Sequence, residues 1–89
     1  MSHNLNKVEV YILDDRYVLK GSEPQEHMEM LAFQLDKRLK KAQDTNPRLN
    51  KVQTVVLTAL NLLDELTKIQ QEYRDFVEMA DQQKENEQK

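Results

Sequence analysis

The sequence predicts an α+β chain: an N-terminal β-hairpin and a helix forming a small head, then one long C-terminal helix that ends in a coiled coil. Three observations predict it. Residues 7–20 alternate apolar and polar side chains and are rich in β-branched residues, the signature of strands. Asn46-Pro47 separates two stretches of helical apolar periodicity, and proline disfavours helical geometry in the residue before it. Val55, Ala59, Leu62, Leu66, Ile69, Tyr73, Phe76 and Ala80 follow one another by alternating steps of four and three, the heptad seam of a coiled coil.

The chain opens with a polar leader, residues 1–6. In the hairpin, expected over 7–20, Val8, Val10 and Ile12 point to one face and Glu9 and Tyr11 to the other. The run Arg16–Lys20 sets Tyr17 and Leu19 opposite Arg16, Val18 and Lys20. Leu13-Asp14-Asp15-Arg16 supplies the turn, since Asp tolerates turn conformations better than most residues. A two-stranded hairpin is marginal alone, so it has to lie on a helix or pair with another sheet.

Gly21, the only glycine, ends the hairpin. Ser22 then reads as a helix N-cap, with Pro24 in the first turn and Gln25 at the capping-box position. Met28, Leu31, Leu35, Leu39 and Ala42 form the buried stripe of a helix over about 23–45, and Met30 and Phe33 widen its apolar surface. The head therefore spans 7–50. Asn50-Lys51-Val52-Gln53 reads as the cap of the next helix, over 51–83, which extends roughly 50 Å at about 1.5 Å per residue. From Val52 to Leu66 that helix is apolar nearly all round, which predicts burial on every side within a compact head. Beyond Leu66 only the seam remains, flanked by Lys68, Glu72, Arg74, Asp75 and Glu78, and this half is expected to protrude as a coiled coil. The polar tail 84–89 is expected to fray.

A chain of 89 residues with two Phe, three Tyr and no Trp builds a marginal core, so assembly is the expected source of further stability. The seam is the surface for it: Val55, Ala59, Leu62, Leu66, Ile69, Tyr73 and Phe76 are the candidate oligomerisation residues of a homodimer or dimer of dimers. Parallel and antiparallel seams share the same spacing, so orientation stays open. No stretch reaches the length of a membrane span and the start lacks the apolar region of a signal peptide, which reads as a cytoplasmic protein.

Net charge is −3, unevenly spread. Residues 36–51 carry six Lys/Arg (Lys37, Arg38, Lys40, Lys41, Arg48 and Lys51) against two acids, while acids outnumber bases on both sides. A small DNA-binding dimer is one reading of this band, because a strand and two helices outline a ribbon–helix–helix repressor. The acidic balance and Glu23, Glu26 and Glu29 ahead of the band oppose phosphate binding. A generic coiled-coil adaptor is another reading. The long helix is acidic outside its seam, which disfavours anionic lipid, so neither nucleic acid nor membrane is the expected partner.

Chemistry finds no support. With no cysteine there is no disulfide, thiolate or Cys-type zinc site. His3 and His27 have no second ligand at a metal spacing, and Ser2 and Ser22 have no triad context. Asp14-Asp15 lacks the further ligands and central glycine of a calcium loop, and one glycine cannot build a phosphate-cradling loop. Asp64-Glu65 read as solvated helix residues. No catalytic residue, metal ligand or cofactor is assigned.

The run Val8-Glu9-Val10-Tyr11-Ile12-Leu13-Asp14-Asp15-Arg16-Tyr17-Val18-Leu19-Lys20-Gly21 resembles the opening hairpin of the ZapA-like cell-division proteins. Asn46-Pro47-Arg48-Leu49 and Val56-Leu57-Thr58-Ala59-Leu60-Asn61-Leu62-Leu63-Asp64-Glu65-Leu66 resemble the start and centre of their long helix, Ala59-Leu60-Asn61 being the most specific piece. The resemblance covers about 7–80, and it departs at the hairpin tip, where Ile12-Leu13-Asp14 stands in place of Ile-x-Gly. It implies a short-form, non-enzymatic protein whose head dimer binds FtsZ, the tubulin-like division GTPase. Its role would be to cross-link or bundle FtsZ filaments at the mid-cell septum and so promote Z-ring assembly. It also implies that charged residues of the head meet the acidic filament, for which Arg16, Lys37, Lys41 and Arg48 are the candidates.

Overall fold

The computed structural model describes residues 5–87: an antiparallel hairpin of β1 (Asn6–Ile12) and β2 (Asp15–Gly21), then α1 (Gln25–Thr45) and α2 (Lys51–Glu87). This is the α+β order expected. Of the leader, residues 1–4 lie outside the described residues, and Asn6 already belongs to β1. Of the polar tail, 88–89 lie outside them, and α2 continues to Glu87, past position 83. The chain divides into two compact units, the first ending at Thr58 and the second beginning at Ala59.

In the first unit the strands pair from Asn6↔Gly21 to Ile12↔Asp15, which leaves a two-residue loop, Leu13-Asp14. Both loop residues are left-handed, with φ 50° and 66°, as a type I′ turn requires, and that turn matches the right-handed twist of the strands. Asp15, expected within the turn, is the first residue of β2.

The period-two alternation puts Val8 and Val10 into the core with Ile12 and Leu19 beside them. Helix α1 covers this face through Met28 and Ala32. Its core-facing set is Met28, Ala32 and Leu39, with Leu35 and Ala42 half-buried. Leu31, expected in the stripe, is 49% exposed instead. Ala32 takes that place because a methyl group lets the helix approach β1 closely, while Leu31 lies to the side of the contact line. Gly21 serves the same approach at the other end: a Cβ there would stand 3.2 Å from the Met28 sulfur.

Ser22 is not the cap of α1. The N-cap is Pro24, in an extended conformation, and its carbonyl accepts the His27 and Met28 N–H groups at 3.0 and 3.1 Å. Ser22 falls two residues too early, and no side chain caps this terminus. The other end behaves as expected: α1 stops at Thr45, and the Asn46 N–H bonds the Ala42 carbonyl at 2.9 Å. The α2 cap is a complete capping box. Asn50 Oδ1 accepts the Gln53 N–H at 2.8 Å, and Gln53 Oε1 accepts the Asn50 N–H at 3.0 Å.

The early part of α2 departs from expectation. Thr54 and Thr58 are its buried residues, whereas Val52, Val55 and Val56 are exposed. Thr54 returns its hydroxyl to the Asn50 carbonyl at 2.9 Å. Within the first unit, then, this helix is buried on the side of Thr54 and Thr58 alone, not on every side.

Candidate functional site

Two kinds of surface stand out: bare apolar side chains along α2, and charged groups on the hairpin and α1.

Val55 on the first unit is exposed. In the second unit Ala59, Leu62, Leu66, Ile69, Tyr73 and Phe76 are all exposed, and Tyr73 and Phe76 reach 69%. Heptad spacing places them along one side of α2. Leu60 and Leu63 are exposed beside them, so the apolar surface is broader than a two-residue seam. On its polar sides the helix carries a Lys68–Asp64 ion pair at 2.9 Å and a Gln71–Asp75 hydrogen bond at 3.0 Å, both spaced four residues apart. The Asp64 carboxylate holds the Lys68 ammonium above its ordinary value.

The basic band of the sequence is not one patch. Lys40 pairs with Asp36 at 3.0 Å, and Lys51 pairs with Asp15, which ties the first turn of α2 to the start of β2. Each carboxylate raises the pKa of its lysine, chiefly through the direct hydrogen bond. Lys37 and Lys41 stay exposed, one turn apart on the side of α1 away from the sheet. The Lys37 ammonium lies 5.6 Å from the centre of the Phe33 ring, itself 63% exposed. Arg48 is exposed on the 46–50 connector.

Arg16 lies elsewhere. It projects from the face of the hairpin opposite the Val8–Val10 core, and so away from α1. There its guanidinium pairs with Glu9 at 2.8 Å, and Glu9 also accepts the Tyr11 hydroxyl at 3.3 Å. The Arg16 hydrogen bond is the main reason the Glu9 carboxyl is held below its usual range. The structure thus sets Lys37 and Lys41 on one face of the two-layer unit and Arg16 on the other.

Two side chains have roles that the sequence reading did not give them. Phe33 gives the lysine face an apolar base, and the Phe33–Lys37 spacing of one turn was the available signal. Asp36 reaches the hairpin tip, where it accepts the Leu13 N–H at 2.8 Å. That long-range contact left no local pattern to read. A shallow groove lies between β1 and α1, lined by Glu9, Val10, Tyr11, Glu29, Phe33 and Asp36. Among the described residues, no helix is long and apolar enough to cross a membrane, and no three His, Asp or Glu side chains group as metal ligands would.

Comparison with known proteins agrees over nearly the whole chain. Residues 8–89 match the family model described as cell division protein ZapA. The chain is 30% identical to the cell division protein ZapA of Geobacillus kaustophilus, over 91% of this chain and 89% of that protein. It is 32% identical to that of Halalkalibacterium halodurans, over 78% and 75% respectively. Its fold matches a solved ZapA mutant dimer from Geobacillus stearothermophilus with a TM-score of 0.70 and 25% identity, covering 89% of this chain and 92% of the other.

Proposed function

Since the chain belongs to the ZapA family of cell division proteins, we propose that it is a non-enzymatic cross-linker of FtsZ filaments, acting in the cytoplasm at the division septum. The observation that carries this reading is the family match from residue 8 to 89, which takes in both the head and the apolar side of α2. The seam residues Val55, Ala59, Leu62, Leu66, Ile69, Tyr73 and Phe76 form the contact between copies, in a homodimer like the solved relative or a dimer of dimers. Exposed side chains of this size are unfavourable in water, and a second α2 removes them from it.

Lys37, Lys41 and Arg48 meet the acidic filament, and Arg16 is a contact on a separate face. Each head binds weakly. An assembly with two or more heads converts weak contacts into an avid cross-link, without any change in the single contact. Exposed charges make that contact fast to form and sensitive to salt.

Co-sedimentation with polymerised FtsZ across a salt series tests the proposal. Co-pelleting that needs polymer, fades with salt and drops in a Lys37→Glu/Lys41→Glu variant is expected. Absence of co-pelleting at low salt, from an assembled oligomer, overturns it.

A further inference from the structure

We propose that the free edge of β2 is a docking site for an extended acidic segment of a partner protein, which adds to the hairpin as a third strand. The sheet has two strands, so β2 has one open edge. In a hairpin closed by a two-residue loop, Ile12↔Asp15 is the first hydrogen-bonded pair, and the bonded pairs then alternate. The backbone N–H and C=O groups of Arg16, Val18 and Lys20 therefore face away from β1. Val18 is 41% exposed and Arg16 and Lys20 are exposed, so no other element of the described chain closes this edge.

The charges select the occupant. Lys7 stands directly opposite Lys20 on the outward face, and among the described residues neither has a carboxylate partner. Like charges in a cross-strand pair are destabilising, and a carboxylate beside Lys20 relieves them. Arg16, two steps further along the same face, already holds one carboxylate, Glu9, and has further donors. A second copy of β2 fits poorly here: antiparallel pairing centred on Val18 sets Arg16 against the partner's Lys20, again like against like. The matching segment carries Asp or Glu at two positions four apart, with a β-branched residue midway to cover Val18. Main-chain bonds supply its affinity and the two acids its selectivity. The site lies apart from the Lys37–Lys41 face; it shares Arg16 with the filament contact proposed above, while Val18 and Lys20 belong to the edge alone.

The test is an amide-correlation NMR titration of the full chain with a capped peptide containing Glu-Thr-Val-Thr-Glu, against a control with Lys for Glu. Expected are shifts at the Arg16, Val18 and Lys20 amides, which exchange fast before peptide and slowly after. Val18→Pro removes an N–H outside the ladder, a substitution edge strands tolerate. It should weaken the Glu peptide about five- to tenfold, the worth of one main-chain hydrogen bond. Lys20→Glu should reverse the preference between the two peptides. Binding unaffected by Val18→Pro, shifts confined to other regions, no binding, or edge amides already protected in the free protein each overturn the proposal, the last by assigning the edge to a second copy.

Discussion

The Asp36 carboxylate of α1 accepts the Leu13 backbone N–H at 2.8 Å, so a helix side chain grips the hairpin at the point where its backbone turns left-handed. Leu13 is at the same time buried, at 7% exposure, so the tip is fixed by its side chain and by its backbone. The Leu13 N–H, with Lys40 in second place, holds the Asp36 carboxyl below the usual carboxylate range.

That contact should be pH-dependent with a definite sign. A lowered folded-state pKa means the ionised form is favoured by folding. Its contribution is complete above the unfolded value, at about pH 4, and is lost as pH falls through the lower folded value. Asp36→Asn should therefore lower the melting temperature at neutral pH, and the gap to the parent should narrow below about pH 4. Thermal melts across a pH series check this, and a gap that ignores pH would remove the carboxylate from the explanation.

The loop makes a second prediction. Asp14 sits at φ 66°, where every side chain but glycine carries a steric penalty of about 1–2 kcal/mol, softened for Asp. Asp14→Gly should raise the urea midpoint, by about 0.5–1 kcal/mol in stability, and Asp14→Val should lower it by about 1–2 kcal/mol. If the glycine variant unfolds earlier, the Asp14 side chain holds the tip through something other than its backbone.

The reciprocal cap at the start of α2 should be measurable by itself. Asn50→Ala removes the side-chain acceptor for the Gln53 N–H and keeps the backbone N–H that the Gln53 side chain accepts, so it deletes one half of the box. A loss of about 1 kcal/mol in denaturant titrations is expected, typical of N-cap deletions. No loss would mean that tertiary contacts alone hold this terminus.

Leu66→Glu tests the seam. An unpaired charge between helices costs several kcal/mol, about 3–5 where burial is full. Sedimentation velocity should show a smaller species at concentrations where the parent is assembled, and an unchanged size would place the contact elsewhere.

Much of the fold could be read from short-range pattern. Alternation at Val8, Val10 and Ile12 placed the hairpin and its buried face, Asn46-Pro47 placed the break, and Asn50 with Gln53 placed the cap. The errors came where a neighbour decides. Pro24 displaced Ser22 as cap because its own carbonyl already takes two amides. Ala32 displaced Leu31 because close approach to β1 rewards a small side chain over a greasy one. The band of lysines looked continuous in one dimension, yet Asp36 and Asp15 pair with Lys40 and Lys51, while among the described residues no carboxylate pairs with Lys37 or Lys41. Which cations are available depends on contacts as long-range as that of Asp15 and Lys51, 36 positions apart, and no local window contains those.

The bare side chains of α2 also make abundance a physical parameter of this protein. Leu60, Leu63, Leu66 and Ile69 stand in water unless a second chain takes them out of it. Under the assembly proposed here, free energy of association is drawn from the same surface that steadies the helix. The stability of each molecule then rises with the number of its copies, as mass action requires of any species stabilised by its own kind. Dilution would act on it as a mild denaturant does on others, and a cell could loosen such cross-links simply by making less of the chain.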